Sequence, residues 1–182
     1  MKQLVFAIIT AIIGVLNANA QVLTKETVNN LFDKMVYQSN SDFVFNAERT
    51  DSDITTMFVY QKNFDRKGTM TLKPHLKYDY SYDADGTLTS RIAYHWLEGQ
   101  NDWVCTGRHD YTLDGGIYFA EYSRYNHAAQ RFDEPVDKMV YLLMPFDAVN
   151  CVSYYHRNNP SAQYHLVSEA VVTDPTELLA SK

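Results

Sequence analysis

Between Lys77 and Trp103, polar and apolar side chains alternate with a period of two. That alternation narrows the choice of fold more than any other feature of the chain. The segment reads Tyr78-Asp-Tyr80-Ser-Tyr82, then Asp83-Ala-Asp85-Gly86, then Thr87-Leu88-Thr-Ser-Arg91-Ile92-Ala-Tyr94-His95-Trp96. Successive strand residues point to opposite faces. Counting by twos across the turn puts Tyr78, Tyr80, Tyr82, Leu88, Ile92, Tyr94 and Trp96 on one face. Lys77, Asp79, Ser81, Thr87, Thr89, Arg91 and His95 fall on the other. The expectation is a β-hairpin with an aromatic face and a wet face.

Its turn recurs. Phe64-Asp65-Arg-Lys-Gly68 and Tyr82-Asp83-Ala-Asp-Gly86 share an aromatic residue, then Asp, then Gly three positions on. Asp at the first position and Gly at the fourth is a type I turn signal. Leu113-Asp114-Gly115-Gly116 is a shortened version, and Phe132-Asp133 and Phe146-Asp147 open further loops. The result is a loose repeat of strand, turn and strand with no strict period.

One segment departs from this pattern. Val28, Leu31, Phe32, Met35 and Val36 follow helical spacing after Thr24, a candidate N-cap with Glu26 in the first turn. This predicts one amphipathic helix over about 24–38. Strands are then expected from about 43 to 172. In Ile54 to Asn63, Ile54, Thr56, Phe58 and Tyr60 are assigned to one face, and Met57 and Val59 to the other. Met139 to Met144 is an apolar run suited to a strand covered on both sides. Asp174-Pro175 suits the start of a short terminal helix. The predicted class is mainly β: an antiparallel β-meander of loosely repeated hairpins, as a curled sheet or a two-layer sandwich, with one N-terminal helix.

The first twenty residues are expected to be a cleaved signal peptide. Lys2 precedes an apolar stretch from Leu4 to Leu16, and Ala18-Asn19-Ala20 supplies small residues before a cut at Gln21. The apolar run is too short to span a bilayer. Residues 21–182 then form a single β-rich domain. Without Lys2, 15 basic side chains stand against 22 acidic ones, a net charge of 15 − 22 = −7. No basic block stands out, which argues against a nucleic-acid partner and against an anionic membrane. Export also permits a disulfide between Cys105 and Cys151, closing a loop of about 46 residues worth ~4 kcal/mol in the chain-entropy model. Two separate buried thiols are the alternative.

Motifs of chemistry are absent. Asp83-Ala-Asp85-Gly86 begins like a calcium loop, but the positions that need Gly and a bidentate acid hold Leu88 and Tyr94. His75, His95, His109, His127, His156 and His165 show no zinc-site spacing. No GxSxG elbow, CxxC pair or phosphate loop occurs. No catalytic, cofactor or metal residue is assigned. The aromatic surplus remains. Packing in a thin β core is its first explanation. Tyr94, Trp96, Trp103, Tyr122 and Tyr125 are the candidates for ligand contact, because rigid amphipathic rings suit a binding surface.

Taken together, the leader, the short helix and hairpins of the Tyr80-x-Tyr82-Asp-x-x-Gly86 … Tyr94-x-Trp96 … Trp103 kind resemble a domain-of-unknown-function family. Its members are small exported, tyrosine-rich all-β proteins of Gram-negative gut bacteria. The resemblance implies a secreted all-β protein and carries over no activity. Tyr82-Asp83-x-x-Gly86-Thr-Leu88 also resembles the tyrosine-aspartate repeats of shell-forming bacterial toxins. It is well formed once here, and that architecture is not carried over. The expectation is a non-enzymatic binding or structural module of the cell envelope or exterior, with a glycan, a peptide or an envelope protein as partner. The alternatives are a small secreted hydrolase with an unrecognised site and an assembly subunit pairing through an open strand edge.

Overall fold

The structure is a computed structural model that describes residues 23–37, 42–114, 117–142 and 150–172. The expected leader, the helix at Asp174-Pro175 and the loop at Phe146-Asp147 lie outside these residues. Among the described residues one helix, α1 (Lys25–Tyr37), precedes ten strands: β1 (Phe43–Thr50), β2 (Asp53–Phe64), β3 (Met70–Tyr82), β4 (Leu88–Leu97), β5 (Asp102–Asp114), β6 (Ile117–Asn126), β7 (Arg131–Phe132), β8 (Asp137–Leu142), β9 (Asn150–His156) and β10 (His165–Val172). The strands hydrogen-bond in chain order as an open antiparallel meander, except that β8 passes over β7 to pair with β6. The meander of hairpins read from the sequence is therefore present. Packing divides the chain into two compact units. One holds 24–109 and 123–134, and the other holds 23, 110–122 and 135–172.

In the first unit, α1 begins as its sequence dictates. Thr24 Oγ1 accepts a hydrogen bond from the Thr27 N–H at 3.3 Å, and the Thr24 carbonyl accepts from the Val28 N–H. Val28 and Leu31 are buried where the helix meets β1 and β2. Asn29 Oδ1 accepts from the Ile54 N–H at 3.1 Å, and Lys25 Nζ pairs with Asp53 at 2.8 Å.

The two Asp-x-x-Gly turns have the same geometry. Asp65 Oδ1 accepts from the N–H groups of Lys67 and Thr69 at 2.7 and 2.8 Å. Asp83 Oδ1 accepts from those of Asp85 and Thr87 at 3.0 and 2.8 Å. Gly68 and Gly86 close the turns at φ 82 and φ 79, where a side chain is strained. The carboxylate that resembled a calcium ligand is spent on its own backbone.

Three bulges overturn the face assignments. Register slips by one residue at Thr55 in β2, at His75 in β3 and at Thr89 in β4. Each extra residue sends every later side chain to the opposite face. Ile54 is therefore buried with Met57 and Val59, not set against them. In the hairpin, Tyr78, Tyr80 and Leu88 share the core face with Arg91, which the alternation assigned to water. Ile92, Tyr94 and Trp96 move to the far face, beside Lys77 and Asp79.

In the second unit, Tyr118 and Ala120 of β6 are buried, and Tyr118 packs between Tyr111 and Tyr141 with ring centroids 6.0 and 5.7 Å away. Met139 lies in β8 as the sequence suggests, but Met139, Val140 and Tyr141 are only half-buried, short of the full cover expected for a strand packed on both faces. Cys105 is a free thiol, so the bridge to Cys151 is not made. The side chain of Cys151 lies outside the described residues. Cys105 is half-buried, and burial pushes its thiol pKa up, as for an unreactive packed cysteine.

Candidate functional site

The far face of β2–β5 in the first unit is where the candidate aromatics gather. Register aligns Phe58, Lys77 and Tyr94 across β2, β3 and β4, with Thr56, Asp79 and Ile92 in the next row. The Trp96 and Trp103 rings meet edge to face at 5.0 Å, across the turn joining β4 to β5. Phe58 lies 6.1 Å from Trp103 and 6.4 Å from Tyr60. Tyr60, Phe58, Trp103 and Trp96 thus form a half-buried aromatic platform, and the two tryptophans are the only ones in the chain.

A polar knot sits beside it. Lys77 Nζ lies 4.0 Å over the Tyr94 ring and 3.1 Å from Asp79 Oδ2. Thr56 Oγ1 donates to Asp79 Oδ1 at 3.0 Å. Both carboxylate oxygens are engaged, so the knot is close to neutral. Burial, and then the adjacent Asp79 carboxylate, push the Tyr94 phenol up to about 12. Tyr94 is therefore a hydrogen-bonding hydroxyl at any physiological pH. Rings beside fixed donors and acceptors stack on a planar or sugar-like ligand and orient it.

Of the five candidate residues, Tyr94, Trp96 and Trp103 share this face. Tyr125 lies close enough to Tyr94 to act on its phenol, and its own ring packs 5.1 Å from both Phe132 and His127, with Arg108 stacked 4.6 Å over Phe132. Tyr122 lies in the other unit. Phe58 and Tyr60 were missed as partners, because the alternation grouped them with Ile54 and the Thr55 bulge was not visible in it.

A second cluster escaped the sequence altogether. In the second unit the register runs Tyr122, Asp137, His156, His165 across β6, β8, β9 and β10. Asp137 Oδ1 is 2.7 Å from His156 Nδ1 and accepts from Tyr154 Oη at 2.5 Å. The His165 ring stands edge-on to His156 at 5.7 Å. Burial and Asp137 raise the Tyr154 pKa above the usual tyrosine value. A carboxylate bound to Nδ1 leaves Nε2 as the basic nitrogen, an arrangement capable of moving a proton. Among the described residues, no three His, Cys, Asp or Glu side chains gather as a metal ion requires. Among them, too, no helix is long and apolar enough to cross a membrane.

Fold and site together define an open antiparallel β-meander with an aromatic platform on one of its units. The chain belongs to DUF3836, a family of unknown function, whose model matches residues 1–143, ending before β9 and β10. Among solved structures it is similar to a protein of unknown function from Bacteroides fragilis, at 24% identity over 73% of this chain and 94% of the other, with TM-score 0.60. That likeness shows a shared fold. DUF3836 proteins from Bacteroides vulgatus (22% identity, 58% and 93% coverage, TM-score 0.46) and Parabacteroides distasonis (17%, 57% and 90%, TM-score 0.47) also match. No curated protein matches the chain.

Proposed function

We propose that the protein is an exported, non-enzymatic binding module whose ligand is a neutral glycan held on the Tyr60–Phe58–Trp103–Trp96 platform. The observation that carries this reading is the platform itself. Four rings from three strands stay half-exposed on one face, although the core face buries other aromatics nearby. Sugar rings offer C–H faces to such rings. Their hydroxyls match Lys77, Asp79 and the Tyr94 hydroxyl. The internally paired Lys77–Asp79 charges favour a neutral ligand over an ionic one. Both tryptophans lie in the site, so their emission reports occupancy directly. Titration with neutral oligosaccharides is expected to give a saturable emission shift. Trp96→Ala and Trp103→Ala should each weaken binding about five- to tenfold, as for the loss of one aromatic contact. A saturable response to extended peptides alone replaces the glycan with a peptide. Affinity untouched by both substitutions sinks the platform reading.

The Asp137–His156 pair favours a second reading, a small hydrolase using His156 as general base. Turnover of chromogenic ester or glycoside substrates, lost in His156→Gln and in Asp137→Asn, would replace the binding reading. Equal background rates in all three proteins remove it.

A further inference from the structure

We infer that the β2–β3 hairpin tip docks on an anionic lipid surface, its apolar side chains entering the headgroup layer and its cations pairing with lipid phosphates. Phe64 and Met70 are cross-strand partners, and Leu72 pairs with Lys62 in the next such row on the same face. Phe64 is 67% exposed, Met70 50% and Leu72 44%. Lys62 shares the face of Phe64 and Leu72, Lys73 points to the opposite face of the hairpin, and Arg66 and Lys67 occupy the turn. Residues 62–73 hold these four cations against Asp65 alone, 4 − 1 = +3, in a chain whose net charge is −6. Asp65 Oδ1 accepts from the Lys67 and Thr69 N–H groups, which partly offset its charge, and the surrounding cations outnumber it at the exposed tip. The Lys73–Glu98 contact at 3.3 Å is an exposed ion pair, which water screens.

An apolar tip ringed by long basic side chains is the layout of an interfacial anchor. The apolar groups enter the acyl boundary while the cations reach headgroup phosphates. A nucleic acid would satisfy the cations and leave Phe64, Met70 and Leu72 in water. The apolar residues also continue the face that carries Tyr60 and Phe58. Docking through the tip would hold the platform close to the membrane surface. No basic block stands out in the sequence because Lys62 and Lys73 lie four and six positions from the Arg66–Lys67 pair and approach it only when the hairpin folds.

Flotation of the full chain with phosphatidylcholine vesicles, and with phosphatidylcholine mixed with phosphatidylglycerol, tests the inference. The mixed vesicles should carry the chain, and added salt should release it. F64S/M70S and R66Q/K67Q should each lower the partition coefficient at least about tenfold, with each lost cation contributing roughly fivefold. Both variants keep Asp65 and Gly68, so the turn is retained, and unchanged tryptophan emission will verify the neighbouring fold. Equal flotation of the native chain and both variants overturns the inference, as does a native chain that floats with neither vesicle. An effect of R66Q/K67Q without one of F64S/M70S also overturns it, and points to a soluble anionic partner.

Discussion

Arg91 Nη2 lies 3.2 Å from His109 Nδ1 on the neighbouring strand, and both side chains are buried. The guanidinium also stacks 5.2 Å over the Tyr78 ring. Arginine only donates, so Nδ1 is the acceptor and His109 is neutral. Burial, and then the Arg91 charge, push the His109 pKa well below its usual value.

That depression makes stability depend on pH. Below about pH 6.5 the unfolded histidine takes up a proton that the folded one refuses, so unfolding gains protons. The contribution is complete above that pH. It is lost as pH falls toward the depressed folded value, by at most ~1.4 kcal/mol per unit. Denaturant midpoints measured between pH 7 and pH 5 should fall, and His109→Gln should flatten the slope. An equal slope in both proteins would assign the effect to other groups.

Gly86 and Gly68 occupy matching turn positions but differ in surroundings. A Cβ on Gly86 would meet Lys25 Cε at 2.7 Å, whereas nothing lies within 4 Å of one on Gly68. Gly68→Ala should cost about 1 kcal/mol from its positive φ alone. Gly86→Ala should cost roughly 2 kcal/mol, because Lys25 must also move while holding Asp53. Chemical denaturation of the two variants gives the order directly, and a reversed order would contradict the packing of α1 on this turn.

Met57 and Trp103 separate core from platform. Met57 is 1% exposed, and Met57→Ala should cost roughly 2–4 kcal/mol by opening a cavity. Trp103 is the larger side chain but only half-buried, and Trp103→Ala should cost less than Met57→Ala. A larger loss at Trp103 in thermal unfolding would make it a core residue.

Asp137 raises the Tyr154 pKa by accepting its hydrogen bond and by its negative charge, after the larger effect of burial. Asp137→Asn should therefore lower the Tyr154 pKa without returning it to the usual value. Ultraviolet difference titration reads this shift, and an unchanged titration curve would separate Tyr154 from Asp137.

Much of the fold was legible. The N-cap at Thr24, the helix, the Asp-x-x-Gly turns and the strand-rich meander follow from contacts within a few residues, where side-chain type acts directly on the backbone. The site was legible only in part. Tyr94, Trp96 and Trp103 were singled out and do converge, with Tyr125 close to Tyr94, whereas Tyr122 lies in the other unit. The Asp137–His156 pair joins residues nineteen apart, and no local pattern encodes it.

The sequence by itself determined the alternation, the turns and the residue types available to each strand. The tertiary structure alone decided which face each residue serves. A single extra residue at Thr55, His75 or Thr89 leaves composition and local propensity unchanged yet inverts every side chain beyond it. Whether that slip occurs depends on what the partner strand and α1 bury against the sheet. Arg91 therefore lies inside and Trp96 stays on the platform, the reverse of their assignment by strict alternation.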